Sequence, residues 1–302
     1  METECRTHAP IRSGSVAALL REAEALMVGA RHIPTPAREA RELLTALLEV
    51  PRSWAVMHGE EAVDAAVRSS LLAAASRRAA GAPLAYAVGR AAFRHLILDV
   101  DERVLIPRPE TEMLVDLVLA RARAGGTAVD VGTGSGCIAL ALASEGQFAR
   151  VIATDVSLDA LAVARQNVKR CAAALRATVE LRHGSMLDPL RDERVRVIVS
   201  NPPYIASGEA PALPRDVRDW EPPLALFSAD RGMAMTARLV RQASDLLEDG
   251  GLLALEVDSR RASLAAERVT ATGAYEDVSV MLDLAGRERF VIARRTRRMA
   301  DA

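Results

Sequence analysis

Three glycines follow an apolar segment near the middle of the chain and could let the backbone lie close to a ligand. The predicted strand 128–131 leads into Gly132, Gly134 and Gly136, and a helix is predicted to begin at Cys137. Glycine permits an approach that a side chain would block. The dinucleotide fingerprint places its glycines at positions one, three and six, whereas these stand at one, three and five. The spacing therefore favours a nucleoside ligand without a pyrophosphate.

Asp155 stands at the end of the next predicted strand, 151–154. A carboxylate at this place can accept hydrogen bonds from both hydroxyl groups of a ribose. Each such charged hydrogen bond could contribute about 1.5–3 kcal/mol if it is buried. The alternative is a tight strand-to-helix turn with an aspartate that caps a helix. Because both features fall at the ends of neighbouring strands, a nucleoside site is the favoured interpretation.

A third motif, Asn201-Pro202-Pro203-Tyr204, follows the apolar segment 197–199. Two consecutive prolines remove two backbone donors and stiffen the chain, which leaves the Asn201 side chain and the Pro202 carbonyl as acceptors in a fixed arrangement. Two acceptors beside an aromatic ring suit a planar NH2 group, since both N–H bonds can be bound at once while Tyr204 lies against the plane. The motif thus predicts recognition of an amide or an exocyclic amine.

The elements that must position these motifs alternate between strand and helix. Their predicted ranges are, for strands, 128–131, 151–154, 179–182, 195–199, 252–257, 278–282 and 290–293, and, for helices, 113–124, 137–144, 158–171, 235–247 and 263–270. Strands with helical crossovers predict an α/β fold, with a mainly parallel sheet covered on both faces and ligands at the carboxyl ends of the strands. All three motifs fall at such ends.

The N-terminal part of the chain has a different pattern. Apolar residues at helical spacing predict three amphipathic helices, over 16–27, 37–48 and 63–75. Two β-rich segments, 96–100 and 104–106, are predicted to form a hairpin with Asp101-Glu102 as its turn. We therefore expect a helical domain over 1–82, a linker with a β-hairpin over 83–108 and a larger domain over 109–302.

Composition excludes several classes of protein. Half of the 302 residues are apolar, 26% are charged and the net charge is -1, so neither a disordered chain nor a general nucleic-acid binder is expected. Cys5, Cys137 and Cys171 are too scattered for a disulfide framework or a zinc site, so no metal is expected. The segment 1–5 has no features of a secretory signal, and we expect a cytoplasmic protein.

In combination, the motifs resemble S-adenosylmethionine-dependent methyltransferases that modify amino or amide nitrogens. Segments outside the core narrow the resemblance to the release factor glutamine methyltransferase family, over roughly residues 13 to 295. These segments are Pro83-Leu84-Ala85-Tyr86, Gly89, Phe93, the run from Val104 to Glu112, Trp220-Glu221-Pro222 and Ala225-Leu226. The resemblance implies a helical domain joined by a hairpin to a Rossmann-like class I methyltransferase domain. It also implies a glutamine in the Gly-Gly-Gln loop of peptide chain release factors as the methyl acceptor.

The resemblance also implies roles for single residues. The cofactor-binding set for S-adenosyl-L-methionine is Gly132, Thr133, Gly134, Ser135, Gly136, Asp155, Met186 and Asn201. The substrate-binding set is Asn201, Pro202, Pro203 and Tyr204, of which Asn201, Pro202 and Tyr204 are expected to be catalytic. The segment from Glu256 to Arg261 departs from the family, whose members carry a glycine and a glutamine after the glutamate.

Alternatives remain for the acceptor and for the class of protein. A glutamine of a ribosomal protein and an exocyclic amine of nucleic acid present the same planar NH2 group. The basic segment 294–298 favours nucleic acid, although a solvated chain end explains it as well. A non-catalytic module that kept the cofactor fold is a third alternative. Release factors as partners, a monomer, no membrane association and no stable nucleic-acid binding are the expectations. Glu110 and Glu112 could line the substrate entrance or favour a helix start.

Overall fold

A computed structural model describes residues 14–297 of the chain. The chain divides between Arg90 and Ala91 into two compact units. The start of the chain with Cys5, and Arg298 of the basic segment, lie outside the described residues, whereas Cys137 and Cys171 are free thiols. Across residues 14–297, no helix has both the length and the apolar character needed to cross a membrane.

The first unit is helical. Its helices are α1 (Val16–Met27), α2 (Pro36–Leu48), α3 (Trp54–Met57), α4 (Ala65–Ala79) and α5 (Leu84–Val88). The three longest confirm the predicted amphipathic helices, and the Ser15 and Asp64 side chains cap α1 and α4 by accepting from backbone N–H groups. Leu19, Leu43 and Leu71 are fully buried in the core between these helices. Each such leucine stabilises the fold by about 1.5–3 kcal/mol.

The predicted strand at 96–100 is confirmed, but its hairpin partner precedes it in the chain and is not the predicted segment 104–106. Strands β1 (Arg90–Phe93) and β2 (Leu96–Asp99) pair in a two-stranded sheet. The turn between them is at Arg94, whose φ of 54° is left-handed. The segment 104–106 belongs to no strand, and Pro107, which directly follows it, has no backbone N–H to continue a ladder. Asp101 makes a local turn instead, in which its carboxylate accepts from the Arg103 N–H.

The second unit alternates strand and helix as predicted. Its elements are α6 (Pro109–Arg121), β3 (Thr127–Val131), α7 (Cys137–Glu145), β4 (Arg150–Asp155), α8 (Leu158–Arg170), β5 (Thr178–His183), β6 (Val195–Ser200), α9 (Arg215–Trp220), α10 (Pro223–Leu226), α11 (Ala229–Gly232), α12 (Ala234–Leu246), β7 (Leu247–Glu256), α13 (Ala262–Ala271), β8 (Tyr275–Leu282) and β9 (Glu288–Arg295). Short 3-10 turns lie at Ala172–Ala174, Asp188–Leu190 and Ser207–Ala212.

The sheet has seven strands in the order β5-β4-β3-β6-β7-β9-β8. The first five are parallel, and β9 pairs antiparallel with both β7 and β8. The strand order reverses direction at β3, beside which β4 and β6 both lie. In open α/β sheets, ligands bind beyond the carboxyl ends of the strands at such a switch point. The mainly parallel sheet of the α/β prediction is confirmed.

Helices cover both faces of this sheet. Alternate residues of β6 face opposite layers, since Val197 packs with Leu114 of α6 and Leu140 of α7, whereas Ile198 packs with Leu239 of α12. A strand buried on both faces reads as a continuous apolar run. The strands in the middle of the sheet are covered by these two layers, and the predicted motifs lie at their carboxyl ends.

Candidate active site

Four neighbouring strands end in polar or glycine-containing segments at one edge of the sheet. Gly132 follows β3, Asp155 ends β4, Asn201 follows β6 and Glu256 ends β7. Parallel pairing brings these ends together, with Val131 beside both Thr154 and Ser200. The three motifs predicted from the sequence therefore surround a common space.

A cavity of about 340 Å³ occupies this space, a volume within the range of small-molecule sites. Its walls come from the loops after the strands, the segment after the hairpin, and α10. The lining residues include Gly132, Gly134, Asp155, Met186, Asn201, Pro202, Pro203, Leu105, Leu224 and Ala225. The lining also includes Glu102, Arg103 and Asp159, and this mixture of apolar walls, charged groups and exposed backbone suits a nucleoside with a polar tail.

The glycine loop opens onto the cavity through its first two glycines. Gly132, Gly134 and Gly136 have φ angles of 72°, 55° and 85°, which are left-handed and favour glycine. A Cβ added at Gly132 or Gly134 would meet nothing within 4 Å, so backbone borders open space there. A Cβ on Gly136 would instead lie 3.4 Å from Leu140. The first two glycines border the open space, whereas the third is favoured by its left-handed φ at the N-cap of α7.

Thr133 and Ser135 are buried behind the cavity and do not line it. The Thr133 hydroxyl donates to Asp130 over 2.6 Å, and the Ser135 carbonyl accepts from the Asn167 side chain over 2.9 Å. Together with Gly136, these two residues shape the turn. Their predicted cofactor contact remains a prediction, because the cavity itself is lined by the two glycines that precede them.

Asp130 is a functional candidate that the sequence reasoning missed. Its carboxylate is fully buried, accepts from the Ala139 N–H as well as from Thr133, and has one oxygen without a partner among the described residues. Burial raises the pKa of Asp130 to about 7, against the opposing effect of these two hydrogen bonds. An acid that ends an apolar strand directly before a glycine turn was the available signal.

Asp155 is held in place by backbone donors. One carboxylate oxygen accepts from the Gly134 N–H over 2.9 Å, and the other accepts from the Ser157 N–H over 2.8 Å. Burial raises the pKa of Asp155, while the backbone hydrogen bonds favour its charged form. Each carboxylate oxygen has a second lone pair, so a group in the cavity can still be bound.

Met186 also lines the cavity. It is buried, its φ is 56°, and its carbonyl accepts from the buried Thr154 hydroxyl over 2.9 Å. That hydrogen bond fixes an unusual backbone conformation and directs the thioether into the lining. A flexible apolar side chain there can pack against the flat face of a base.

A smaller cavity of about 90 Å³ adjoins the first. The two share Leu105, Asn201, Pro202 and Ala225, and Tyr204 lines only the smaller one. Burial raises the pKa of Tyr204 to about 12, so its phenol is neutral at ordinary pH. Asn201 and Pro202 thus stand between a nucleoside-sized space and a space for a small planar group.

The Asn201 side chain belongs to a buried hydrogen-bond chain. Its Nδ2 donates to the Thr111 hydroxyl over 3.2 Å, and that hydroxyl donates to Glu256 Oε2 over 2.7 Å. Thr111 and Glu256 are almost completely buried. Neither was predicted as a site residue, because they meet only through the fold, across 145 residues of sequence.

An ion pair forms part of the wall of the smaller cavity. Arg108 Nη2 lies 2.5 and 2.6 Å from the two carboxylate oxygens of the buried Glu221. Burial raises the pKa of Glu221, and Arg108 opposes that rise. A pair of this kind is costly to break, because one partner would remain charged and unpaired. It fixes the segment that leads into α6 against the loop before α10.

The divergent segment after β7 braces the Asn201–Tyr204 loop. Arg261 donates to Glu209 over 2.8 Å and to the Arg231 carbonyl over 2.7 Å. Gly232 has a φ of 87°, and a Cβ on it would lie 2.1 Å from the Tyr204 carbonyl. Backbone of α11 therefore lies against the loop, and Arg261, in the segment after β7, binds α11 through the Arg231 carbonyl.

Glu110 and Glu112 are not brought to either cavity. Glu112 accepts from the Arg94 N–H at the turn of the hairpin, and Glu110 lies 3.6 Å from Arg287. Both stand in the first turn of α6, where the helix dipole favours acids. The helix-start alternative therefore describes them better than the entrance.

Comparisons with known proteins agree with this geometry. Residues 18–89 match the model of the PrmC N-terminal domain, and residues 109–213 match that of the methyltransferase small domain. The chain is 40% identical to the release factor glutamine methyltransferase of Moorella thermoacetica, over 87% of this chain and 93% of that one. It is 38% identical to that of Neisseria gonorrhoeae, over 86% and 93%.

Among solved structures, a methyltransferase from Pyrococcus furiosus is similar in fold. Its TM-score is 0.50, with 21% identity over 66% of this chain and 90% of that chain. A similarity at this level shows the fold alone.

Proposed function

We propose that this chain, which belongs to the release factor glutamine methyltransferase family, transfers a methyl group from S-adenosylmethionine to a glutamine side-chain amide of peptide chain release factors. The acceptor is the glutamine of their Gly-Gly-Gln loop. The observation that carries the proposal is the position of Asn201 and Pro202 between the two adjoining cavities. This junction is where a methyl donor and a planar amide would meet.

The larger cavity suits the cofactor. Its volume, the backbone exposed at Gly132 and Gly134, and the carboxylate of Asp155 fit a nucleoside with an amino-acid tail. Asp155 would accept from the ribose hydroxyls, and Met186 would pack against adenine. When bound, S-adenosylmethionine supplies a methyl group on a sulfonium, which is already a good leaving group.

The smaller cavity suits the acceptor amide. Asn201 Oδ1 and the Pro202 carbonyl would accept its two N–H bonds, and the Tyr204 ring would lie against its plane. An amide nitrogen is a weak nucleophile, because its lone pair is delocalised into the carbonyl. Two acceptors on its hydrogens favour the charge that develops on this nitrogen in the transition state, after which one of its two protons is lost to solvent.

Positioning supplies a further part of the rate. Holding the nitrogen against the methyl group removes the entropy of encounter, which can contribute about 7–11 kcal/mol. Two ion pairs hold the Asn201–Tyr204 loop in place. One joins Arg108 to the buried Glu221, and the other joins Arg261 to Glu209. The site therefore promotes transfer by orienting the amide nitrogen and by stabilising the charge that develops on it, and acid–base catalysis contributes little.

The relatives also support the choice of acceptor. Those at 38–40% identity are named for release factor glutamine, which favours this substrate over a ribosomal protein or nucleic acid. The net charge of -1 agrees, because a nucleic-acid enzyme would need a basic surface. A cytoplasmic location, where release factors work, and a monomeric state belong to the same proposal, and sedimentation of the purified chain tests the latter.

Transfer of a labelled methyl group tests the proposal. The chain is incubated with labelled S-adenosylmethionine and either a release factor or the same factor with alanine in place of the loop glutamine. The expected result is label in the unaltered factor alone. Label in both factors would reject this glutamine as the acceptor, and label in neither would reject release factors as substrates.

A further inference from the structure

The Asn201 amide has two orientations of nearly equal shape but opposite hydrogen-bonding character. With Oδ1 toward the smaller cavity, it accepts an N–H of the acceptor amide. Turned over, it presents Nδ2 instead, whose hydrogens oppose those of the acceptor. Catalysis as proposed above needs the first orientation, so some neighbour must select it.

Thr111 selects the orientation of the Asn201 amide, because its hydroxyl has only one hydrogen to donate. That hydrogen is donated to Glu256 Oε2 over 2.7 Å. The hydroxyl oxygen can then only accept from Asn201, so Nδ2 faces Thr111 over 3.2 Å. Oδ1 is left for the substrate. The direction of each hydrogen bond is thus set by the next member of the chain.

We infer that Thr111 and Glu256 are positioning residues, which hold the Asn201 amide in the orientation that binds the acceptor. The inference rests on the proposed function. Thr111 is 2% exposed and Glu256 is 1% exposed, so water does not replace either partner. Thr111 lies in the first turn of α6, and Glu256 is the last residue of β7. Two rigid elements therefore converge on the loop after β6.

The chain of hydrogen bonds makes the selection depend on pH. A protonated Glu256 would donate to Thr111, and the Thr111 hydrogen would then turn toward Asn201. The amide would turn over to offer Oδ1 to Thr111, and its Nδ2 would face the acceptor. Activity should therefore fall as pH decreases through the pKa of Glu256.

That pKa lies in an accessible range. Burial raises the pKa of Glu256 to about 7. The groups that face it are Thr111 and Arg289, which lower its pKa, Glu110, which raises it, and Arg108, which lowers it. Glu256 in turn raises the pKa of Tyr204 and of Cys137, both of which stay neutral near pH 7. Within the hydrogen-bond chain from Asn201 through Thr111, Glu256 is therefore the group that titrates near neutral pH.

The test is the pH profile of kcat at saturating S-adenosylmethionine, with a release factor as acceptor. Saturation removes any effect of Asp130 or Asp155 on cofactor affinity. The variants are Thr111→Val, which removes the hydroxyl at nearly constant shape, Thr111→Ser, which restores it, and Glu256→Gln, which does not titrate. Thr236→Val is the matched control, because Thr236 is equally buried and its hydroxyl has no partner among the described residues.

Thr111→Val is expected to lower kcat about tenfold to a hundredfold at pH 8, with KM for the cofactor little changed. In the parent chain, kcat should fall below about pH 7. This fall should be absent from Thr111→Val and Glu256→Gln. It should be present in Thr111→Ser and in Thr236→Val. The inference would be overturned if Thr111→Val had the same kcat as the parent chain and the same fall in kcat below about pH 7.

Two further outcomes are decided in advance. If Thr111→Val does not fold, the pH profile of Glu256→Gln decides. A fall in kcat below about pH 7 that persists in Glu256→Gln overturns the inference, and its absence supports the inference. If the parent chain transfers no methyl group to the release factor at any pH, the proposed function fails and the inference fails with it. Failure of the inference alone leaves the parent chain active.

Discussion

Asp155 shows how one side chain can serve both the loop and the ligand. Its two oxygens already accept from the Gly134 and Ser157 N–H groups, which hold the carboxylate at the cavity wall. Hydrogen bonds from ribose hydroxyls would then meet a charged group that needs no reorientation. The residue is therefore expected to contribute to affinity more than to the chemical step.

Asp155→Asn should weaken binding of S-adenosylmethionine about tenfold to a hundredfold, because charged hydrogen bonds are replaced by neutral ones. Titration calorimetry measures the affinity, and kcat at saturating cofactor should change much less. Asp192→Asn removes the same charge at an exposed position and is the control. Unaltered affinity in Asp155→Asn would contradict the ribose role.

Site residues differ in how visible they are in a sequence. Gly132, Asp155 and Asn201 stand in contiguous motifs directly after apolar runs, so their place at the strand ends could be predicted. Thr111 and Glu256 could not, because only the packing of α6 against β7 brings them together across 145 residues. A local sequence pattern does not indicate a hydrogen bond between residues so far apart in the chain.

At the scale of elements, Asn167 of α8 joins the hairpin to the glycine loop. Its Nδ2 donates to the carbonyls of Asp99 and Ser135, both over 2.9 Å, and its Oδ1 accepts from the Asp99 N–H over 2.7 Å. The side chain is fully buried. Its removal would leave backbone groups of β2 and of the loop without partners.

Asn167→Ala is expected to lower the free energy of unfolding by about 2–4 kcal/mol, since several buried polar groups lose their hydrogen bonds. Affinity for S-adenosylmethionine should fall as well, because the glycine loop loses its support. Urea denaturation and calorimetry measure the two effects. The neighbouring Gln166→Ala, at an exposed position of the same helix, should alter neither. Equal free energies of unfolding for Asn167→Ala and Gln166→Ala would contradict the role of Asn167 in joining the hairpin to the glycine loop.

Whole elements were predicted unevenly for physical reasons. The central parallel strands β3, β4, β6 and β7 carry buried apolar runs, and this signal is strong. The partner strand of the hairpin was misplaced, because the segment before Pro107 has the same composition as a paired strand. The pairing instead depends on Arg94, which is held by Glu145 and by the Glu112 carbonyl. Those contacts come from α7 and α6, outside the hairpin.

At the scale of the whole molecule, the buried acids make the free energy of unfolding depend on pH. Burial raises the pKa of Asp130 and of Glu256 to about 7, while unfolded carboxyls titrate near pH 4. Between these values the folded state binds more protons than the unfolded state. The contribution is therefore fully present below about pH 4 and is lost as pH rises through about 7.

Asp130→Asn does not titrate and should lack this loss. Relative to the parent, its free energy of unfolding is expected to rise by on the order of 1–3 kcal/mol between about pH 5 and pH 8. Urea denaturation at several pH values measures the difference. Asp192→Asn, whose carboxyl is exposed, should show no such trend. A difference that stays constant with pH would mean that Asp130 is charged throughout.

The decisive measurement is mass spectrometry of a purified release factor after incubation with S-adenosylmethionine and either the parent chain or Asn201→Ala. We predict a methyl group on the glutamine of the Gly-Gly-Gln loop with the parent chain and at least about a hundredfold less with the variant. Calorimetry should show that the variant still binds the cofactor. A release factor left unmodified by a parent chain that binds S-adenosylmethionine, or equal methylation by both chains, would contradict the proposed division between the two cavities.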